Sequence, residues 1–416
     1  MKQVPTNKQL DFLSWEVGMF FHFGIRTFYP GHRDWDGVEM AAEAFDPREL
    51  NCRQWLRAAK LIGAKYAIMT TKHHDGFALW PSKYTRYSVS ASKWKNGRGD
   101  VVREFVDACR AEELKAGLYY SPAQWGSSAV KFESAKEYDD YFIGQISELL
   151  TGYGKIDYLW FDGCGSEGHQ YDQKRIVGEI RRLQPEILLF DMWDPDTRWV
   201  GNEDGYAPSP NPYAAMMNVL GEQKEVFAPT ECDCKLREHW FYDRDEASIK
   251  SVDELIGMYE MSVGRGSNLL LNAGPDERGL ICEMDEKRLC EFGAEIARRY
   301  GHALPFGEIR RCGENAYSIE YSPDTLSRIG DLSRLPEVQS VIVQENLQKG
   351  QSVKRFAIYA HLPSLDPISG RRVCVWEGQT IGHKAICRFP AIRTPKLDLE
   401  ILECDGNAEI ESIKGY

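Results

Sequence analysis

The residues able to do chemistry in this chain gather at the ends of short apolar runs. Asp162 follows Leu159-Trp160-Phe161 and precedes Gly163. A carboxylate at the end of an apolar strand is held rigidly and partly desolvated, which suits a nucleophile. The plainer alternative is an Asp that caps the loop behind it. Glu203 lies in Trp199-Val200-Gly201-Asn202-Glu203-Asp204-Gly205, where two glycines imply a shaped loop and not a helix. Its plainer alternative is a solvated loop Glu. Together the two carboxylates meet the needs of glycoside hydrolysis. One attacks the anomeric carbon, and the other carries a proton to the leaving oxygen.

Other polar residues follow neighbouring apolar runs. The first run leads into His22, the second into Lys72, His73, His74 and Asp75, and the third ends at Tyr119, Tyr120 and Ser121. Asp191, Asn202, Glu231 and Asn272 end later runs. Imidazole and phenol groups that converge with carboxylates suit a polyhydroxylated ligand. Trp35 and Trp240 offer rings for stacking on a sugar face, with packing at loop bases as the alternative. His22, His73 and His74 could instead bind a metal. Adjacent residues on a strand point to opposite sides, however, so His73 and His74 meet at one ion only if the strand kinks. Cys232 and Cys234 are separated by one residue, which is no usual zinc spacing.

These residues need a scaffold, and the apolar pattern supplies one. Val17–Phe21, Tyr66–Thr70, Ala116–Tyr120, Ile156–Phe161, Ile187–Phe190, Val226–Ala228 and Asn268–Leu271 read as strands, with Arg198–Val200 a short eighth. Amphipathic helices fall between them. Asn51 and Asp100 are placed to cap two, a stripe from Tyr138 to Leu149 ends at Gly152, and a helix from about Tyr171 stops before Pro185. Two more are expected near 253–264 and 284–300. Near-continuous apolar strands alternating with helices predict a parallel sheet, and eight of them predict an α/β fold of the (β/α)8 barrel type. Only seven residues separate Ile187–Phe190 from Arg198–Val200, too few for a crossover helix. The barrel is therefore expected to be irregular, with its active site at the carboxyl ends of the strands.

After Pro305 the pattern changes to strands at Ser340–Val343, Arg355–Tyr359, Arg372–Val375 and Leu397–Leu402, with no convincing helix. The expected division is a catalytic barrel over 1–304 and a C-terminal β-sandwich over 305–416.

Composition narrows the function. With 51 Lys and Arg against 63 Asp and Glu, the net charge is −12. This speaks against nucleic acid or an anionic membrane surface as partner. Eleven scattered cysteines fit free thiols in a reducing compartment, and no apolar segment marks a leader or a membrane span, so a cytoplasmic location is expected.

Four segments carry a family resemblance: GMFFHFGIRTFYPG from Gly18, KYAIMTTKHHDGFALWPSKYTRYSV from Lys65, GYGKIDYLWFDG from Gly152 and SVGRGSNLLLNAGPDERGLI from Ser262. They resemble glycoside hydrolase family 29, the α-L-fucosidases, over essentially the whole chain. RWVGNEDGYA at Arg198, PTECD at Pro229 and EGQTIGHKAICRFP from Glu377 resemble the subfamily that prefers branched α-1,3/1,4-linked fucose. The resemblance implies a retaining exo-enzyme that acts on fucosylated glycans without metal or cofactor. It implies Asp162 as nucleophile and Glu203 as acid/base. It further implies fucose contacts at His22, His73, His74 and Tyr119 or Tyr120. Glu231 matches a subfamily position. Asp34-Trp35 stands where the subfamily shows Glu-Trp, and SPAQWGSS after Tyr120 departs from its usual pattern. For retention the two carboxyl groups are expected roughly 5 to 5.5 Å apart, and the fucose methyl needs an apolar pocket, for which Phe21, Trp160 or Trp240 are candidates. The competing readings are a broad-specificity α-L-fucosidase, a metal-dependent barrel hydrolase and a non-catalytic sugar-binding protein.

Overall fold

A computed structural model describes residues 2–29, 31, 38, 40–123, 132–166, 168–362 and 371–416. Ten strands build the first part of the chain: β1 (Val17–Phe21), β2 (Tyr66–Lys72), β3 (Lys115–Tyr120), β4 (Tyr158–Phe161), β5 (Leu188–Phe190), β6 (Arg198–Trp199), β7 (Ala214–Val219), β8 (Glu222–Phe227), β9 (Thr230–Lys235) and β10 (Asn268–Asn272). Eight of these form one parallel sheet in the order β5-β4-β3-β2-β1-β10-β9-β6. A bridge between Phe190 and Thr197 brings its two edges together. The architecture is the expected irregular (β/α)8 barrel.

The helices are α1 (Asn7–Trp15), α2 (Cys52–Leu61), α3 (Val101–Ala111), α4 (Ala135–Gly152), α5 (Gln173–Leu183), α6 (Val252–Ser262) and α7 (Glu283–Tyr300). Asn51 and Asp100 cap α2 and α3 by accepting from the amides of Gln54 and Arg103, which satisfies donors that the first helical turn leaves unpaired. No helix links β5 to β6, and the β7–β8 hairpin stands where a helix would link β6 to β9. Among the described residues, no helix is long and apolar enough to cross a membrane.

Strand alternation divides the barrel into two apolar populations. Phe20, Tyr66, Ile68, Tyr119, Tyr158, Trp160, Leu188, Phe190 and Leu270 fill the interior, with Phe12 and Trp15 of α1 among them. Met19, Phe21, Met69, Tyr120, Leu159, Phe161 and Leu271 face the helices. The crowding is tight at β1: a Cβ on Gly18 would come within 2.4 Å of the Tyr66 ring.

One strand lies elsewhere than the apolar pattern suggested. Val226 and Phe227 belong to the hairpin, and the barrel strand is the polar, almost wholly buried Thr230–Lys235. Its outward residues include Cys234, packed with the helices, while its inward positions hold charge. A hydropathy pattern cannot see a strand whose buried face is ionisable.

The connector 301–309, which holds the expected domain boundary, leads to eight further strands: β11 (Arg310–Gly313), β12 (Ala316–Glu320), β13 (Glu337–Glu345), β14 (Val353–His361), β15 (Arg372–Gly378), β16 (Ala385–Arg393), β17 (Lys396–Cys404) and β18 (Ile410–Gly415). They form sheets β11-β12-β17-β14-β15 and β16-β13-β18 around a core that includes Val341, Phe356, Ile358 and Leu399. This is the β-sandwich. It also contains a short helix, α8 (Pro323–Ile329), capped by Ser322, where no helix was expected. The sandwich packs on the barrel: the Ile386 amide donates to the Gly264 carbonyl, and Glu16 meets His383 and Lys384.

Candidate active site

Asp162 is the first residue beyond β4. Its Oδ1 accepts the Cys164 amide at 2.9 Å, and its Oδ2 accepts the Tyr119 hydroxyl at 2.8 Å. Nε2 of His74 lies 3.3 Å from the same Oδ2. Burial pushes this carboxyl up, but the donors outweigh it and hold it below the ordinary carboxylate range. Asp162 is therefore ionised at neutral pH and fixed in direction. Its side chain keeps 24% of its surface open, enough for a ligand to reach it.

Three histidines surround it. Asn272 donates its amide to the Trp240 carbonyl at 2.7 Å, so its Oδ1 faces His22 and accepts from Nδ1 at 2.8 Å. Nε2 of His22 is then the bare nitrogen, an acceptor for a hydroxyl. Burial drives the His22 pKa down to about 3, so the ring stays neutral. His73 stacks on Tyr119 with planes 9° apart, and burial pushes its pKa down as well. Its buried Nδ1 has no hydrogen-bond partner among the described residues. His74 meets the Ser121 hydroxyl through Nδ1.

His73 and His74 share one site because the β2–β3 register shifts between Thr70 and Lys72, and both residues lie past the strand end. Ligand atoms of His73, His74 and Asp162 lie within 4.8 Å of one another, close enough for a metal ion. In this arrangement Nε2 of His74 faces Oδ2 of Asp162 at 3.3 Å.

Alternation settles the two tyrosines. Tyr119 points inward to Asp162. Tyr120 points outward, donates to Gln145 at 2.7 Å and packs on Phe142 of α4. The expected sugar contact at Tyr120 is therefore incorrect. Phe21 likewise packs outward on Trp55 and Phe105, and Phe20 is the inward residue.

Of the two roles open to Glu231, contact with substrate or support of the site, its position fits support. It lies inside the barrel, not at its mouth, because β9 runs on past it to Lys235. It is fully buried and accepts from Tyr66, from Trp160 Nε1 at 2.9 Å and from Tyr158 at 3.3 Å. Burial raises its pKa to about 7. Glu231 thus holds the nitrogen edge of Trp160, whose ring stacks between Phe190 at 4.1 Å and Tyr119 at 5.5 Å.

Glu203 lies in the loop after β6, 49% exposed, with Lys235 Nζ 3.3 Å from its Oε2. Lys235 also sits 5.0 Å from the centroid of the Trp240 ring, which lies 4.8 Å from His22. A continuous chain of contacts therefore joins Glu203 to the histidine cluster. Asp34 and Trp35 lie outside the described residues. A separate open cleft between Ser82 and Ala91 shares no residue with this cluster.

The hydropathy reading missed Lys235 and Asp233, which share the inward face of β9 with Glu231. The signal was present in the alternation of Glu231, Asp233 and Lys235, once the strand is placed at 230–235.

A protein-family model described as alpha-L-fucosidase matches residues 27–299. The chain belongs to this family. It is 32% identical to alpha-L-fucosidase 1 of Arabidopsis thaliana, across 93% of this chain and 82% of that protein. With human plasma alpha-L-fucosidase it shares 29% identity, across 60% of this chain and 54% of that one. A crystal structure of a glycoside hydrolase 29 family member from an unknown rumen bacterium superposes with a TM-score of 0.87 at 31% identity, covering all of this chain and 77% of that one.

Proposed function

We propose that this α-L-fucosidase is a retaining exo-enzyme that releases terminal fucose by double displacement, with Asp162 as nucleophile and Glu203 as acid/base. The observation that carries the reading is the Asp162 carboxylate, held ionised by Tyr119, His74 and a backbone amide within a cluster of histidines.

Asp162 attacks the anomeric carbon while Glu203 protonates the departing oxygen, leaving a glycosyl ester on Asp162. Glu203 then takes a proton from water, which cleaves the ester. Neutral His22 presents a bare Nε2 to a fucose hydroxyl. His73 and Tyr119 line the same wall, and Phe20, Trp160 and Trp240 supply apolar surface for the methyl group.

A preference for α-1,3/1,4-linked fucose follows from the RWVGNEDGYA and PTECD stretches. The test is hydrolysis of Lewis-type trisaccharides beside 2′-fucosyllactose and an aryl fucoside, with proton NMR of the first-formed sugar. The expected result is α-fucose appearing first, with the trisaccharides cleaved fastest. Initial β-fucose would overturn the double displacement, and faster cleavage of 2′-fucosyllactose would overturn the linkage preference.

A further inference from the structure

Trp199 is a large aromatic left 39% exposed at the barrel mouth, yet it is pinned at three points. Its register with Glu231 places it on the inward face of the sheet. Its backbone amide donates to Asp191 Oδ1 at 3.2 Å, and its indole Nε1 donates to Asp233 Oδ1 at 2.8 Å. Both carboxyls come from neighbouring strand ends. Asp191 adopts a left-handed backbone with φ of 57°, and Asp233 is buried. A strained residue and a buried carboxyl both aimed at one tryptophan are costly to maintain for mere packing. They fix an exposed ring before any ligand arrives, so little rotamer freedom remains to be lost on binding.

We propose that the Trp199 ring is the platform for the sugar that carries the fucose, binding the C–H face of a neutral hexopyranose. The proposal rests on the fucosidase reading above and extends it to the leaving group. Glu203 is four residues further along, after the turn at Gly201, whose φ is 96°. The acid/base must face the glycosidic oxygen, so the strand end that launches its loop borders the aglycone. The fucose-facing histidines come from the other side of the barrel. A stacked aromatic suits a sugar ring because its apolar C–H face meets the electron-rich face of the indole.

The test compares Trp199→Ala and Trp199→Phe with the parent enzyme on a fucosylated trisaccharide and on α-L-fucosyl fluoride, which has no aglycone ring. The reading is the ratio of the two kcat/KM values. For Trp199→Ala this ratio is expected to fall about 10- to 50-fold, mainly through KM for the trisaccharide. Trp199→Phe, which keeps a ring but loses the bond to Asp233, is expected to fall between the two. An unchanged ratio, whether both substrates slow or neither does, overturns the platform. Failure of the parent enzyme on both substrates would instead overturn the fucosidase reading itself.

Discussion

The two sides of the barrel mouth are built differently. Strands β1 to β4 are followed by regular helices, and their ends carry His22, His73, His74, Tyr119 and Asp162 packed in one cluster. From β5 to β9 the helices are replaced by a seven-residue link and a hairpin, and this side carries Trp199, Glu203, Asp233 and Lys235. The first side is buried, and burial keeps His22 and His73 neutral. The second side is more open, with Glu203 half exposed and, among the described residues, paired to Lys235. A group that must recognise one invariant sugar benefits from a fixed wall. In the proposed mechanism Glu203 must donate and then accept a proton beside leaving groups of different shape, which benefits from room to move.

The sharpest way to break this comparison is at the fixed wall. Asp162→Ala is expected to lower turnover roughly 10⁴-fold or more while leaving thermal unfolding close to that of the parent. Substantial residual turnover would remove Asp162 from the chemistry.

On the open side, Glu203→Ala is expected to cost on the order of 10²- to 10⁴-fold on glycans and far less on an aryl fucoside, whose leaving group departs without proton help. Equal losses on both substrates would place the acid/base role elsewhere.

Smaller effects separate the inward tyrosine from the outward one. Tyr119→Phe removes a donor that lowers the Asp162 pKa, so the acidic limb of kcat/KM should move to higher pH, with a loss of about 10-fold in rate. Tyr120→Phe should leave that limb in place and cost about 1 kcal/mol of stability through the unpaired Gln145 oxygen. A shift of the limb in Tyr120→Phe would contradict the alternation.

The last expected effect is on stability and concerns Glu231. Its pKa is raised to about 7 in the folded chain, so the native state holds this proton more tightly than the unfolded state does. Stability should therefore fall as pH rises from the ordinary glutamate value through about 7. Glu231→Gln removes that dependence, and the difference in stability between pH 5 and pH 8 should shrink by about 1 to 3 kcal/mol in urea unfolding. An unchanged difference would mean that Glu231 is ionised when folded.

How much was legible in sequence differed by element. The first four barrel strands showed themselves because their buried residues are apolar on both faces, as in Leu159-Trp160-Phe161. β9 stayed hidden because its inward face carries Glu231, Asp233 and Lys235, and polar residues read as loop. The two carboxylates stood out because each breaks a local pattern, one ending an apolar run and the other sitting between glycines.

Sequence alone determined which groups are available and that a parallel barrel would collect them at one mouth, since apolar periodicity and helix caps are local properties of the chain. Only the tertiary structure decided that Tyr119 and not Tyr120 meets Asp162, that Glu231 lies beneath Trp160, and that Trp199 stands pinned beside the Glu203 loop. Those outcomes depend on strand register and on which face each side chain takes, and register is set by partners distant in sequence.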